Sequence, residues 1–493
     1  MRFNQNLQIL LKTAFRLYSQ KMDILNSKQA GENQKKQKVN LFWFRRDLRL
    51  NDNVGLYYAL KESIPVVPLF IFDKDILDEL ADKKDCRVEF IHDYLSLMQE
   101  NLRKYGSTMV IKHANAEGAF KSLMNEFDIS CVFTNRDYEP QAKKRDQQIK
   151  DLLNSKGIGF KDYKDQVIFE AKEVHHDDGN PFKIYTPFSK KWISLLSESD
   201  YQSYTSESLM QNYWKNQVEV PFPTLEQIGF QRTGIEFPPC KLDEELVKNY
   251  DKTRDYPHIK TSLMSVHLRF GTVSIRELVR KAVALNQKYL DELCWREFFM
   301  MMIDQFPLFA TENLKKAYNK VEWRNNPDEF KAWCEGKTGY PLLDAGMRQL
   351  NKTGYLPNKL RMIAASFLTK NLLIDWRWGE RYFASKLIDY DLAANVGGWQ
   401  WVNGSGTDQA PYIRVLDPVM QQKKYDPDFK YIKTWVEDFN EETYPKRIVN
   451  YEESRQRALD AFSIVFKKNQ IKQHQQQIKE KKANYQHYYK NKK

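Results

Sequence analysis

Apolar and polar positions fall into three regimes along the chain. In residues 39–169, short apolar runs alternate with amphipathic stretches. Val39–Phe44, Val66–Phe72, Met109–His113, Cys131–Thr134 and Val167–Phe169 read as strands, with helices such as Asp85–Leu102 and Gln141–Ser155 between them. Strand–helix alternation predicts a parallel α/β sheet. Residues 170–235 combine Asp177-Asp178-Gly179-Asn180-Pro181 and Pro221-Phe222-Pro223 with Phe182, Tyr185, Phe188, Trp192, Tyr213 and Trp214. That is the pattern of a long connector that packs on the body. Residues 236–466 are mostly helical in period, broken at Gly336-Lys337-Thr338-Gly339, Gly354 and Gly404-Ser405-Gly406. The expected fold class is therefore α/β plus all-α.

One stretch stands out, Leu387–Trp401, reading LIDYDLAANVGGWQW. Taken as a helix at about 100° per residue, Asp391, Asn395 and Trp399 share one stripe, and Trp401 points about 200° away from Trp399. A carboxylate, an amide and an indole replace the Leu or Ile of a core helix. Gly397 and Gly398 cost helix stability and make sense if something flat approaches the backbone. A buried aromatic helix explains the same pattern.

Charge changes the picture only at the ends. Net charge is +12, but residues 1–38 hold eight Lys/Arg against two acids, and residues 467–493 hold nine Lys against one Glu. The body is left close to neutral, so any DNA contact must use a local basic patch. Leu7, Leu10, Leu11, Ala14, Phe15 and Tyr18 form a helical stripe in an acid-free N-terminus. This reads as an organellar transit peptide, or as an extension preceding a start at Met22. The basic tail reads as disordered and solvated, with non-specific DNA affinity or nuclear import as functional readings. Five scattered cysteines with no C-x-x-C argue for a reducing compartment and no zinc site. No apolar run is long enough to span a membrane.

Candidate chemistry is then narrowed by what is missing. The chain has no G-x-G-x-x-G, no P-loop, no metal-ligand spacing among its His and no arguable Ser–His–Asp order. Phe44-Arg45-Arg46-Asp47-Leu48-Arg49 follows the first strand, either as a ligand edge or as a salt-bridged loop. Thr261-Ser262-Leu263-Met264-Ser265 precedes a helix and suits phosphate oxygens, or is an ordinary N-cap. Arg361 can pair with Asp389 or Asp391. A Trp-rich helical domain with polar inward stripes suggests that a buried aromatic cofactor carries the chemistry.

The stretches LFWFRRDLRLNDN, ELCWREFF, WCEGKTGYPLLDAGMRQL, PNKLRMIAASFLTKNLLIDWRWGERYF, DYDLAANVGGWQW and GSGTDQAPYIRVLDP resemble the DNA photolyase/cryptochrome family. The likeness is nearest to class I enzymes that split cyclobutane pyrimidine dimers, and runs from Val39 to about Phe439. It implies a Rossmann-like antenna domain, a connector and a helical domain holding one U-shaped FAD. By that resemblance Tyr250, Thr261, Ser262, Leu263, Met264, Ser265, Tyr289, Arg296, Tyr355, Arg361, Asp389, Asp391 and Asn395 would hold the flavin, with Asn395 facing N5.

Glu292, Trp295, Asn358, Met362 and Trp401 would form the lesion site. Arg254 and Gln421, with Glu292, Trp295 and Asn358, would touch UV-damaged DNA. Trp399, Trp376 and Trp323 would relay electrons to the flavin, and no metal is expected. Glu139 would match an antenna acid, and the antenna is 5,10-methenyltetrahydrofolate, a deazaflavin, a flavin mononucleotide or none. Departures from the pattern are Val396, Tyr289, Tyr355 and Pro357, which bear on flavin tuning and cavity shape.

The implied activity is light-driven dimer repair by a monomer without an obligate protein partner, in the nucleus or mitochondrion of a eukaryote or the cytoplasm otherwise. A cryptochrome photoreceptor is the alternative. A DASH-type protein with a single-stranded DNA preference would usually carry Gln and Tyr at Met362 and Trp401. Enzymes for the (6-4) lesion carry His at Asn358 and Met362.

Overall fold

A computed structural model describes residues 36–216, 220–407, 413–437 and 439–465. The N-terminal stripe and the basic tail lie outside the described residues. Five strands, β1 (Lys38–Phe44), β2 (Val66–Asp73), β3 (Val110–Ala114), β4 (Asp128–Asn135) and β5 (Gly159–Tyr163), form one sheet in the order β3-β2-β1-β4-β5. Every neighbouring pair is parallel; Asn40 lies opposite Val66 and Phe42 opposite Phe133.

Alternate residues along β1 feed opposite faces. Phe42 and Phe44 join one buried cluster, with Leu95, Met98 and Leu102 from α2 (Cys86–Arg103). Leu41 and Trp43 join another, with Phe120 and Leu123 from α3 (Ala116–Glu126) and Ile149 and Leu153 from α4 (Pro140–Asn154). This part also holds α1 (Val54–Lys61), whose start is capped by Asn53, and a single helical turn at Lys74–Leu77. Both sheet faces are covered, as parallel sheets require. The sheet reverses its strand order at β1, where the FRRDLR loop leaves it.

The fifth strand differs from the sequence expectation. Gly159–Tyr163 pairs with β4, while Val167–Phe169 is not a strand. GFKDY is an edge strand with a polar middle and a weak apolar signal. Val167–Phe169 is buried in the helical core instead, and the backbone N–H groups of Ile168 and Phe169 donate to the Glu297 carboxylate at 2.7 and 2.9 Å. The apolar run reported burial correctly, but its backbone is satisfied by a side chain rather than a ladder.

The connector carries α5 (Tyr185–Leu195), which buries Phe188 and Trp192 in the same core, and Tyr213 bridges back to Val66. The helical part runs through α6 (Met264–Phe270), α7 (Ile275–Leu285), α8 (Gln287–Gln305), α9 (Pro327–Glu335), α10 (Pro341–Thr353), α11 (Asn358–Ser366), α12 (Trp376–Lys386), α13 (Leu392–Asn403), α14 (Pro418–Tyr425), α15 (Lys430–Trp435) and α16 (Tyr451–Phe462). Gly336, Gly354 and Gly404 end α9, α10 and α13 with φ of 64°, 68° and 85°, the left-handed closure a Cβ resists.

The helix expected from Leu387 begins only at Leu392, because Asp391 caps it by accepting from the Ala394 N–H. A buried ion cluster ties the two halves. Arg49 meets Asp165 at 2.7 Å, and Arg276 of α7 meets Asp52 and Asp165 at 2.9 Å each. Among the described residues no helix is long and apolar enough to cross a membrane.

Candidate active site: a polar cavity in the helical half

One cavity of about 250 Å³ gathers Tyr250, Thr261, Ser262, Leu263, Met264, Ser265, Tyr289, Arg296, Tyr355, Arg361, Asp389 and Asp391. Its wall also carries Arg254, Glu292 and Asn358. The sequence spreads these residues over more than a hundred positions; the packing of α6, α8, α11 and the turn before α13 brings them together.

The start of α6 is the polar floor. Leu263 adopts a left-handed φ of 53° and no side chain caps the helix. The neighbouring hydroxyls are not a cap either, since Thr261 pairs with the Tyr355 hydroxyl at 3.3 Å and Ser262 with that of Tyr289 at 3.2 Å. Opposite them, Arg361 donates to both oxygens of Asp389 at 2.9 and 2.8 Å and to the Leu356 carbonyl. The Asp389 side chain is 2% exposed and lies against that cation.

Asp391 joins the cavity to the sheet. It caps α13 and accepts from Arg46 on the loop after β1; the same guanidinium binds Glu139 at 2.7 Å. Against the penalty of burial, Arg46, then Arg269 and Arg296, hold the Asp391 carboxyl well below the usual range. Glu139, the antenna candidate, thus spends a carboxylate oxygen on Arg46. The loop is the salt-bridged alternative: Arg45 binds Asp146 and Arg49 binds Asp165.

Arg269 escaped the sequence reading. Its Nε and Nη1 are buried with no hydrogen-bond partner among the described residues, and burial, with Arg46 nearby, pulls the guanidinium down. Its signal was available, four residues after Ser265 on the same helix face. Among the described residues Arg296 donates only to the backbone carbonyl of Gln166, at 2.7 Å. Two buried guanidinium groups, three hydroxyls and an uncapped helix start form a donor set suited to an anionic ligand such as a diphosphate.

The Asn395–Trp399 stripe faces α12. The Asn395 amide nitrogen donates to the Glu380 carbonyl and carboxylate at 3.2 and 3.0 Å, which leaves Oδ1 as its open end. Ala394, not Asn395, is the wall residue from this helix. Trp399 rests on Gly379, where a Cβ would stand 2.1 Å from the indole, and Trp376 lies one turn earlier on α12. Trp323 is half-buried against Phe462, ring centroids 5.7 Å apart. The flat group against Gly397 is the Phe299 ring, 2.2 Å from a would-be Cβ, while Gly398 faces open space.

Of the remaining predicted residues, Arg254, Glu292 and Asn358 line this cavity, whereas Trp295, Met362, Trp401 and Gln421 do not. Arg254 and Lys288 hold Glu292, the second at 3.8 Å. Trp295 stacks on Tyr185 at 3.6 Å and 8°. Met362 and Trp401 line a separate cavity of about 80 Å³, with Arg414 5.3 Å over the Trp401 ring. Gln421 lies on α14, partly exposed.

Residues 40–204 match the family described as DNA photolyase, and residues 289–441 match the FAD binding domain of DNA photolyase. The chain belongs to the DNA photolyase family. The deoxyribodipyrimidine photo-lyase of Halobacterium salinarum is 33% identical over 82% of this chain and 90% of its own length. A class III photolyase from Agrobacterium tumefaciens superposes with a TM-score of 0.77 at 28% identity, covering 88% of this chain and 98% of that one. The archaeal photolyase from Sulfolobus tokodaii, described with two FAD molecules, superposes with a TM-score of 0.70 at 32% identity, covering 87% and 100%. The C-terminal half is therefore an FAD-binding domain, and the cavity's donor set fits that cofactor.

Proposed function

We propose that this photolyase reverses cyclobutane pyrimidine dimers in DNA, using light and a reduced FAD held in the cavity of the helical half. The observation that carries the reading is that Glu292, Asn358 and Arg254 open onto the same cavity as the Arg361–Asp389 pair and Asp391. Lesion recognition and cofactor binding then share one wall. When bound there, reduced FAD would supply the light-driven one-electron chemistry that opens the dimer.

The chain's own residues bind and orient. Thr261, Ser262, Ser265, Arg269 and Arg296 would grip the diphosphate. Asn395, its nitrogen committed to Glu380, keeps Oδ1 as an acceptor for an N–H on the flavin edge. Glu292 is engaged by Arg254 in the free protein. An approaching phosphate competes for Arg254 and releases the carboxylate to accept from pyrimidine N–H groups, while Asn358 offers both an amide donor and an acceptor. Trp295, Met362 and Trp401 provide the aromatic and apolar contacts that a flipped-out dimer needs. Trp399, backed by Trp376 and Trp323, would refill an oxidised cofactor.

Glu292→Ala tests the assignment. Its repair yield per absorbed photon falls while flavin absorbance per chain stays at the wild-type value. Loss of flavin with unchanged yield per remaining flavin would move Glu292 to cofactor binding, and an oxidised resting flavin with no repair by wild-type protein would favour the photoreceptor reading.

A further inference from the structure

A second cavity, of about 500 Å³, shares a wall with the first: Thr261, Leu263, Tyr355 and Pro357 line both. None of the residues predicted to touch the lesion or the DNA lines it. Its other sides are Gln349 and Thr353 at the end of α10, Tyr431 and Trp435 of α15, and two segments that carry Pro238, Pro239 and Pro257. The prolines fix the backbone on either side, so the space is set before any ligand arrives. Its volume is in the range that takes a small organic molecule.

The wall carries both signs of charge. Glu236 and Lys260 line it, both exposed, and neither has an ion-pair or hydrogen-bond partner among the described residues. Gln349 accepts from the Tyr431 hydroxyl through Oε1, which leaves its amide nitrogen as a free donor among those residues. Trp435 is half-buried, 6.4 Å from the Tyr431 ring, and offers an aromatic surface. A bare anion would be opposed by Glu236, and a wholly apolar ligand would leave Lys260 unused. We propose that this cavity binds a mononucleotide of the guanine type, and that its occupant helps the neighbouring cavity keep FAD. Glu236 accepts from the N–H groups along the ring edge, Gln349 donates to the ring carbonyl, Trp435 packs on the ring, and Lys260 meets the phosphate.

The shared wall supplies the coupling. The Thr261 and Tyr355 hydroxyls meet at 3.3 Å, and Leu263 holds a left-handed φ of 53° at a helix start that no side chain caps. A molecule in the second cavity rests against these same residues and holds them in the arrangement that faces the first. Each ligand then raises the affinity of the other, because coupling between two sites is reciprocal. The coupling rests on the reading of Thr261 and Leu263 as cofactor residues; the binding of the nucleotide does not.

The test uses full-length, FAD-loaded protein in the dark, so that the first cavity is filled. Titration calorimetry with GMP, AMP and guanosine reads the second. GMP binds saturably, and AMP, whose ring edge turns an acceptor toward Glu236, binds at least about tenfold more weakly. Glu236→Gln lowers the affinity for GMP by about tenfold and narrows its lead over AMP. Lys260→Ala weakens GMP but leaves guanosine, which lacks the phosphate, unchanged. Both side chains are exposed, and far-UV circular dichroism with FAD content checks that the variants fold. Saturating GMP slows FAD release after dilution several-fold, followed by the fluorescence of freed flavin. The nucleotide site is overturned if GMP does not bind, if GMP and AMP bind alike, or if both variants bind GMP as the wild type does. Bound GMP with unchanged FAD release would overturn the coupling. Thr261→Val that keeps FAD as tightly as the wild type would instead remove the cofactor reading of the shared wall.

Discussion

Glu297 gives the sharpest quantitative prediction. It lies on α8 directly after Arg296 and holds the segment that leads into the connector, accepting from Ile168 N, Phe169 N and the Trp192 indole N–H. Burial, against the pull of those three donors, pushes its carboxyl from the usual 4.5 up to about 7. The folded chain therefore keeps a proton that the unfolded chain has released. This group's contribution to stability is complete below pH 4.5 and is lost as pH rises through about 7. At about 1.4 kcal/mol per pH unit, the loss across that window is on the order of 3 kcal/mol.

Glu297→Gln abolishes this slope. It also sets an NH2 against the Ile168 N–H, which leaves a buried donor unpaired at a cost of about 1–3 kcal/mol. Guanidinium denaturation of both proteins between pH 5 and 8, followed by circular dichroism, should show the variant less stable at low pH and the gap closing as pH rises. Parallel curves across the window would refute the argument.

Three further outcomes follow from the same contacts. Gly379→Ala places a Cβ 2.1 Å from the Trp399 ring; overpacking should cost about 1–3 kcal/mol, read as a lower thermal midpoint, and an unchanged midpoint would show that α12 shifts freely. Arg361→Ala leaves Asp389, 2% exposed, without its cation; breaking such a pair costs about 3–5 kcal/mol, so the purified variant should lose FAD, and full flavin occupancy would contradict the pairing. Glu380→Ala leaves the Asn395 amide only the backbone carbonyl of residue 380 as acceptor, whereas Glu380→Gln keeps both acceptors. The first should slow light-driven flavin reduction more than the second, and equal rates would remove the orienting role.

The sequence showed the architecture where each segment meets a surface of its own period. Four of five strands, the connector's packing and the glycine helix ends at Gly336, Gly354 and Gly404 were legible because those signals are local. Val167–Phe169 misled because its backbone partner is the distant Glu297 carboxylate, and GFKDY was quiet because an edge strand is half wet. At the cavity, the family motifs named most of the residues that the fold brings together, but not Leu268, Arg269, Leu293, Leu356 or Ala394. Arg269 was absent from them, its meaning lying in two buried nitrogens without a partner among the described residues, and the salt-bridged loop at Arg46 was foreseen without its reach across to Asp391. They also missed Glu380, which turns Asn395. The stripe of Asn395 and Trp399 was correct as a face, but its neighbour is α12, a contact that periodicity alone does not specify.

The central claim is tested most directly by loading the chain with FAD, reducing it, and exposing it to blue light with an oligonucleotide carrying one cyclobutane thymine dimer. Chromatography should show the dimer converted to adjacent thymines in the light and untouched in the dark. An intact dimer after illumination of fully reduced, flavin-replete protein would contradict the account.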